Sequence, residues 1–238
     1  MAQFEITPQS AFSTTAIGSA ERVTTFLRKV YGWMCVGLGV TAVVAFGVAS
    51  SPALAKAIIG NPIVFFGLVI AELGLVFFLS ARVNKLAPAT ASGLFLLYSA
   101  LNGAVLSMVL LAYTGTSIAT TFLVTAAMFG ALALYGTTTK RSLAGVGQFA
   151  FMGLIGLILA SLVGMFLHSA GLQFVISIVG VIVFTCLTAW DAQRLKAMAV
   201  AVPEGQYGSY AVVGALALYL DFINLFLFLL RFMGNRRD

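Results

Sequence analysis

Residues 214–230 read GALALYLDFINLFLFLL, and residues 181–193 read VIVFTCLTAWDAQ. Both stretches belong to apolar runs of about 20 residues, the length with which an α-helix crosses a bilayer. Each nevertheless contains one aspartate, Asp221 in the first and Asp191 in the second. A charged side chain near the centre of a span costs about 2.5 to 3.5 kcal/mol on insertion scales, so each aspartate points first to function.

The whole chain is as apolar as these two stretches. Of its 238 residues, 61% are hydrophobic and 8% are charged, which leaves too little polar surface to cover a soluble globule. Only helices and closed barrels satisfy the backbone in lipid, and the apolar runs here extend over about 20 residues without alternating. The composition therefore predicts an all-α integral membrane protein.

Seven apolar windows are separated by turn-forming residues. The predicted spans are residues 30–50, 62–82, 88–112, 117–136, 147–167, 172–192 and 209–230. Small residues spaced four apart, at Gly156, Ala160 and Gly164 and at Gly67 and Ala71, predict close helix packing. The expected parts are a cytoplasmic N-terminal tail at residues 1–29, a seven-helix transmembrane domain at 30–231 and a short basic C-terminal tail at 232–238.

The basic residues predict the orientation of the chain. They gather in the N-terminal tail and in alternate connections, at Arg82 and Lys85, Lys140 and Arg141, and Arg194 and Lys196. This bias predicts a cytoplasmic N-terminus. The formal charge of +6 then reflects topology and contact with anionic lipid, and it indicates no nucleic-acid partner.

The C-terminal arginines do not follow this rule. A complete seventh span places Arg231, Arg236 and Arg237 on the side opposite to the other basic residues. The alternative is that segment 209–230 enters the membrane and turns back, leaving six spans. We favour seven spans because residues 215–230 contain no glycine or proline that would make a hairpin.

The two aspartates lie on consecutive predicted helices, which are expected to be antiparallel neighbours. If the two helices have the predicted ends, Asp191 lies near the inner surface of the membrane and Asp221 lies about 18 Å below that surface. Contact requires the seventh helix to start nearer Gly214 or the sixth to continue toward Met198.

If the carboxylates meet, they would share a proton over part of the physiological pH range. When ionised, they would offer hard oxygens to a divalent ion such as calcium. The alternative is that they only fix helix packing.

Other polar residues in the predicted spans are candidates for the same site. Arg82 is the cation best placed to compensate the aspartates, unless it only extends its side chain to the interface. Glu72 lies about 15 Å along the same helix from Arg82, where it could join a polar path with Asn102 and Asn224. The alternative for both asparagines is interhelical hydrogen bonding.

Catalytic and resident-metal chemistry is not indicated. No GxSxG, HExxH, Walker-type or dinucleotide pattern stands in a suitable context, so we expect no enzyme and no cofactor. The single histidine, His168, makes no metal site, and Cys35 and Cys186 both lie in apolar spans, where free cysteine behaves as a small hydrophobe.

Five segments in order carry a resemblance to a known family. They are AELGLVFFLSARVNKLAPATA at 71–91, LLYSALNGAVLS at 96–107, TAAMFGALALYGTTTKR at 125–141, LTAWDAQRLK at 187–196 and LYLDFINLFLFLLR at 218–231. With these segments the chain resembles a bacterial member of the transmembrane Bax inhibitor motif family. The resemblance implies a multi-pass protein of the bacterial cytoplasmic (inner) membrane, with six helices around a central C-terminal helix.

The resemblance also implies roles for single residues. Asp191 and Asp221 match the family's aspartate pair, Arg82 matches the basic residue that holds the closed arrangement, and Glu72 matches an earlier acidic position. Bacterial members are described as pH-sensitive calcium leak pathways in which the aspartate pair is the sensor.

Two functions follow as hypotheses, and a third fits less well. The first is a pH-gated calcium leak across the membrane, with calcium as a transported or transiently bound ion at Asp191 and Asp221. The second is a non-transporting modulator of a membrane-bound protease or stress-response partner, which would bind through the N-terminal tail. A proton-coupled carrier fits the buried carboxylates, but the chain shows no inverted repeat with broken helices.

Overall fold

The structure is a computed structural model that describes the backbone of residues 8–167 and 169–237, and their side chains from residue 20 onward except residue 204. His168 and the first seven residues of the expected tail lie outside the described residues. Within them the chain forms eight α-helices and no β-strand. The helices are α1 (Pro8–Ala49), α2 (Pro52–Ile58), α3 (Pro62–Arg82), α4 (Pro88–Ala112), α5 (Gly115–Thr138), α6 (Ala144–Leu167), α7 (Ala170–Ala201) and α8 (Tyr207–Met233).

All these helices except α2, seven helices in the described part of the chain, are long and apolar enough to cross a membrane. This confirms the predicted number of spans. Since α8 is one continuous helix of 27 residues, the alternative of a re-entrant last segment is excluded. The shorter α2 has only 7 residues and connects the first two spans.

The helices begin where the sequence supplies caps. Proline occupies the first turn of α2, α3 and α4, where its missing N–H is not needed. The side chains of Ser51, Asn61 and Thr114 accept hydrogen bonds from first-turn N–H groups of α2, α3 and α5. These caps satisfy backbone donors that lipid could not.

Helix α8 occupies the centre of the bundle. Its span is 67% buried, whereas the other spans are between 11% and 39% buried. It packs against α1, α4, α5 and α7, while α3 is held mainly by α4 and α6 by α7. The expected arrangement around a central C-terminal helix is confirmed.

Two helices extend beyond their predicted spans. Helix α1 begins before residue 30, and its Phe26 is fully buried against the core. Helix α7 continues to Ala201 instead of ending at residue 192. Its Gln193 side chain accepts a hydrogen bond from the Leu143 N–H at 2.8 Å and donates one to the Arg141 carbonyl at 2.8 Å. Hydropathy cannot detect these extensions because their polar residues contact protein and solvent.

The small-residue prediction is correct only in part. Gly164 approaches Gln173 and Ile176 of α7, but a side chain at Gly156 or Gly67 would meet open space. Chance spacing in a glycine-rich apolar chain explains these errors. A closer approach occurs at Gly136 of α5, where a Cβ would overlap the Ala189 carbonyl oxygen of α7.

The C-terminal segment returns to the bundle. The Thr114 N–H donates to the Asn235 carbonyl at 3.1 Å, and the Arg237 N–H donates to the Ala112 carbonyl at 3.0 Å. These bonds form an isolated antiparallel bridge between Tyr113 and Arg236. The bridge fixes the C-terminal arginines beside the α4–α5 connection.

We predict that Gly136→Ala lowers the melting temperature of the purified protein, because the added methyl group overlaps backbone of α7. Overpacking of this kind typically costs about 1 to 3 kcal/mol. Gly130→Ala on the same helix is the matched control, since nothing lies within 4 Å of the position of its Cβ. Equal melting temperatures for both variants would contradict the close α5–α7 contact.

Candidate functional site

Asp191 and Asp221 come to similar levels because α7 is longer than predicted. Asp191 lies ten residues before the end of α7 and Asp221 lies fourteen residues after the start of α8. These intervals correspond to about 15 Å and about 21 Å along the two helices. Of the two changes that the sequence required for contact, the structure therefore shows the continuation of α7 past Met198. This brings the levels of the two residues to within about 6 Å of each other.

Contacts along the two helices fix this register. At the shared end, the Tyr207 hydroxyl of α8 donates to the Ala199 carbonyl of α7 at 2.7 Å. Further along, Leu195 lies against Gly214, and Phe228 covers Gly180. In this antiparallel register the two aspartates are about one helical turn apart.

The Asp221 carboxylate is buried on the central helix. The residue is 5% exposed, and its Oδ2 atom has no hydrogen-bond partner within the described part of the chain. The Asp191 carboxylate of α7 is near enough to act on it electrostatically. A buried polar atom without a partner is costly, and a neighbouring like charge adds to that cost when both groups are ionised.

Within the described residues, Asp191 has a cation beside it and Asp221 has none. Arg194, one turn later on α7, places a guanidinium nitrogen 4.0 Å from Oδ1 of Asp191. The same guanidinium lies over the Trp190 ring, 5.6 Å from its centroid. The arginine side chain is largely exposed, at 59%, whereas that of Asp191 is 14% exposed, so the ion pair lies at the edge of the site.

Arg82 does not occupy the expected position beside the aspartates. It is exposed at the end of α3, with its guanidinium 5.7 Å from the centroid of the Phe78 ring. Among the residues that the structure describes, no ion pair joins it to Asp191 or Asp221. Its role in holding a closed arrangement stays a prediction, and it requires the side chain to move.

Glu72 and Asn102 meet in a second buried cluster. The Asn102 amide nitrogen donates to Oε2 of Glu72 at 3.1 Å, while Oε1 of Glu72 is buried without a partner in the described chain. The Tyr219 hydroxyl donates to the Asn102 amide oxygen at 3.0 Å. The cluster therefore joins α3 and α4 to the central helix.

The cluster continues from Tyr219 to the first span. The Tyr219 hydroxyl lies 2.6 Å from Oγ1 of Thr41, and this Thr41 hydroxyl also donates to the Ser99 carbonyl at 2.9 Å. We call Glu72, Asn102, Tyr219 and Thr41 the Glu72 chain. It joins four helices, and the Phe95 and Tyr98 rings of α4 pack edge-on against the Tyr219 ring.

Asn224 does not join this chain. Its amide donates to the Leu220 carbonyl of its own helix at 2.8 Å, and its side chain lines a groove on another face of α8. Within the described residues, no group of three or more His, Cys, Asp or Glu side chains could hold a metal ion. The proposed calcium ligands are thus only the two aspartates.

Three residues of these clusters were not singled out from the sequence. Arg194 was used only as a topology signal, although its spacing of three from Asp191 could have indicated an ion pair. Thr41 and Tyr219 carry no comparable signal, because threonine and tyrosine are common in membrane helices. Only the packing of four helices brings them to Asn102.

Comparison with known proteins agrees with this architecture. Residues 23–238 match the family model described as "Inhibitor of apoptosis-promoting Bax1". Inner membrane protein YbhL of Escherichia coli (strain K12) is 51% identical over 216 residues, which cover 90% of this chain and 92% of that protein. An uncharacterized protein of Borreliella burgdorferi is 45% identical, with coverage of 90% and 93%.

A third relative, the uncharacterized protein RP147 of Rickettsia prowazekii, is 43% identical over 216 residues, which cover 90% of this chain and 90% of that protein. With seven apolar helices in the described residues, these matches show a multi-pass protein of the inner membrane. The chain belongs to the Bax inhibitor family.

Proposed function

We propose that this protein is a pH-sensitive pathway for the passive leak of calcium across the membrane, with Asp191 and Asp221 as its proton-responsive element. The observation that carries the proposal is the buried Oδ2 of Asp221 on the central helix, which has no hydrogen-bond partner among the described residues. Its level is about one helical turn from that of a second carboxylate, Asp191, on α7. Such a group is expensive in a membrane protein and is a functional site by default.

The proton chemistry of the pair provides a two-state contact between α7 and α8. When both carboxylates are ionised they have no proton to share, and their charges repel each other. After one proton binds, this repulsion is removed, and the protonated group can donate an O–H···O hydrogen bond to the other once a shift of α7 against α8 brings them within reach. Protonation thus changes the contact between the two helices from repulsive to attractive, and such a change can bias a gate.

Calcium suits the ionised pair by its ligand preference and its charge. It binds oxygen ligands, about six to eight in stable sites, and two carboxylates provide at most four oxygens. The remaining ligands would be water or backbone carbonyls, so the pair would hold the ion weakly. Weak binding is what conduction requires. Arg194 offsets part of the charge at Asp191, which weakens the attraction further.

The Glu72 chain adds a second group that can respond to protons. With Glu72 ionised, Asn102 donates to Glu72 and Tyr219 donates to Asn102. The Thr41 hydroxyl has one proton but two acceptors, the Ser99 carbonyl and the Tyr219 hydroxyl oxygen. The ionised chain is therefore one proton short for its four contacts.

A neutral Glu72 supplies the missing proton. Its O–H can donate to the Asn102 oxygen once the amide turns over, a change that exchanges groups of similar shape. Asn102 then donates to Tyr219, Tyr219 to Thr41, and Thr41 to the Ser99 carbonyl. Protonation of Glu72 thus reverses the chain and provides one proton for each of its four contacts. Among the described residues, the hydroxyls of Tyr98 and Tyr219 are the other titratable groups that interact electrostatically with Glu72.

We predict that calcium flux into liposomes containing the purified protein depends on pH, and that Asp191→Asn and Asp221→Asn each flatten this dependence. Each variant keeps the side-chain shape but removes one of the two coupled acids. A calcium-sensitive dye inside the liposomes reports the flux. Glu21→Gln is the matched control, because Glu21 is an exposed acid on α1 and its neutralisation should leave the pH profile unchanged.

An unchanged pH profile in both aspartate variants would contradict the gating role. If wild-type liposomes show no flux above empty liposomes at any pH, the leak itself is refuted. The non-transporting modulator would then be the better hypothesis.

For the Glu72 chain, we predict that Tyr219→Phe lowers the melting temperature, because it removes the donor to the buried Asn102 amide oxygen and the hydroxyl contact with Thr41. A lost buried hydrogen bond costs about 1 to 3 kcal/mol. Tyr98→Phe is the control, since the Tyr98 ring is also buried, at 3% exposure, but its hydroxyl is not part of the chain. Equal effects of the two substitutions would show that the Tyr219 hydroxyl is not important.

A further prediction tests the reversal of the chain. Glu72→Gln places a permanent N–H donor where the neutral acid has its O–H, so the chain should stay in one direction. We expect the melting temperature of this variant to vary less with pH than that of the wild type, between about pH 5 and about pH 9. The same pH dependence in both proteins would contradict a proton-dependent chain.

A further inference from the structure

Three arginines at the C-terminal end of α8 have no place in the mechanism above. Because α8 is the seventh span, Arg231, Arg236 and Arg237 lie at the face of the membrane opposite to the ends of α3, α5 and α7. Basic residues of a membrane protein normally collect on one face. Their presence on the other face therefore calls for a local reason.

Two of these arginines line one cavity. It measures about 750 Å³ and lies between the end of α6, the start of α7 and the end of α8. Arg231 and Arg236 supply its charge, and Gln173 and Ser177 of α7 supply polar groups. Among the residues that the structure describes, no acidic side chain lines it, and neither arginine has a carboxylate partner. The cavity therefore has the charge to receive an anion.

Aromatic rings hold both guanidinium groups in place. Arg231 lies over the Phe228 ring, 5.8 Å from its centroid, and Arg236 lies over the Tyr113 ring at 5.9 Å. The backbone bridge between Tyr113 and Arg236 fixes the second arginine further. Such stacking reduces the side-chain freedom that anion binding would remove.

The charged cavity opens onto an apolar groove. A second cavity of about 300 Å³ shares Met165 and Arg231 with the first and continues along Leu162, Ile158 and Leu154 of α6. The groove exists because α6 packs on α7 and barely contacts α8. From Met165 to Leu154 it extends for about 16 Å, about the thickness of the hydrocarbon of one leaflet.

We propose that the two cavities together bind one anionic phospholipid, with its phosphate between Arg231 and Arg236 and one acyl chain in the groove between α6 and α8. Guanidinium groups bind phosphate through paired charge-assisted hydrogen bonds, and basic pockets between membrane helices suit lipid headgroups. A free anion would use only the charged cavity, whereas a lipid uses both. The bound lipid would fill the gap between α6 and the central helix.

The test measures the thermal stability of the purified full-length protein in detergent during titration with defined lipids. Dioleoyl phosphatidylglycerol should raise the melting temperature, while dioleoyl phosphatidylcholine and inorganic phosphate should raise it little. Arg231→Gln and Arg236→Gln should each weaken the phosphatidylglycerol response by about tenfold or more in concentration, as expected for a lost charge-assisted bond. Native mass spectrometry of the same samples should show one retained phosphatidylglycerol.

Two further variants separate the headgroup from the acyl chain. Arg237→Gln is the matched control, because Arg237 lies at the same end but lines a different cavity, and it should keep the full response. Ser161→Leu places extra side-chain volume in the groove and should weaken the response with both arginines present.

Three results would overturn the proposal. A phosphatidylglycerol response that survives the combined Arg231→Gln and Arg236→Gln substitution would exclude the arginines. An equal response to phosphatidylcholine would exclude recognition of anionic lipid. An equal response to inorganic phosphate, unaffected by Ser161→Leu, would show an anion site that takes no acyl chain.

Discussion

The burial of one carboxylate, Asp221, on the central helix is the constraint on which the arrangement of this protein depends. In a chain with 8% charged residues, this group lies on the helix whose span is 67% buried. It has a like-charged neighbour in Asp191 and no hydrogen-bond partner for Oδ2 in the described chain. Lipid cannot solvate such a group, so its free energy depends directly on protons, cations and the position of α7.

Helix α8 carries a second polar cluster on its other side. Tyr219 and Asp221 are two residues apart, so their side chains point about 200° apart around the helix. Tyr219 belongs to the Glu72 chain, which connects α8 with α1, α3 and α4. Asp221 lies on the side of α8 that faces α7. In the proposed mechanism, proton binding on either side would change what the same helix contacts, so that both clusters would act on α8.

The sequence predicts the fold better than it predicts the contacts within the site. Seven spans follow from hydropathy because lipid demands apolar helices of one length, and the central position of α8 follows from the family resemblance. The relative levels of Asp191 and Asp221 could not be decided, because hydropathy does not detect the last part of α7, from Gln193 to Ala201. Arg82 was expected beside the two aspartates, but the arginine that lies beside Asp191 is Arg194. The sequence could not show this, because the direction of a side chain depends on tertiary packing.

The coupling between Asp191 and Asp221 is tested most directly by infrared titration of their carboxyl groups. Difference spectra of the wild type, Asp191→Asn and Asp221→Asn over about pH 4 to about pH 10 would give the pH at which each remaining carboxyl loses its proton. Coupling predicts that replacing either aspartate shifts the titration of the other. Identical titration of each carboxyl with and without its partner would contradict a shared proton and remove the basis for a pH-sensitive gate.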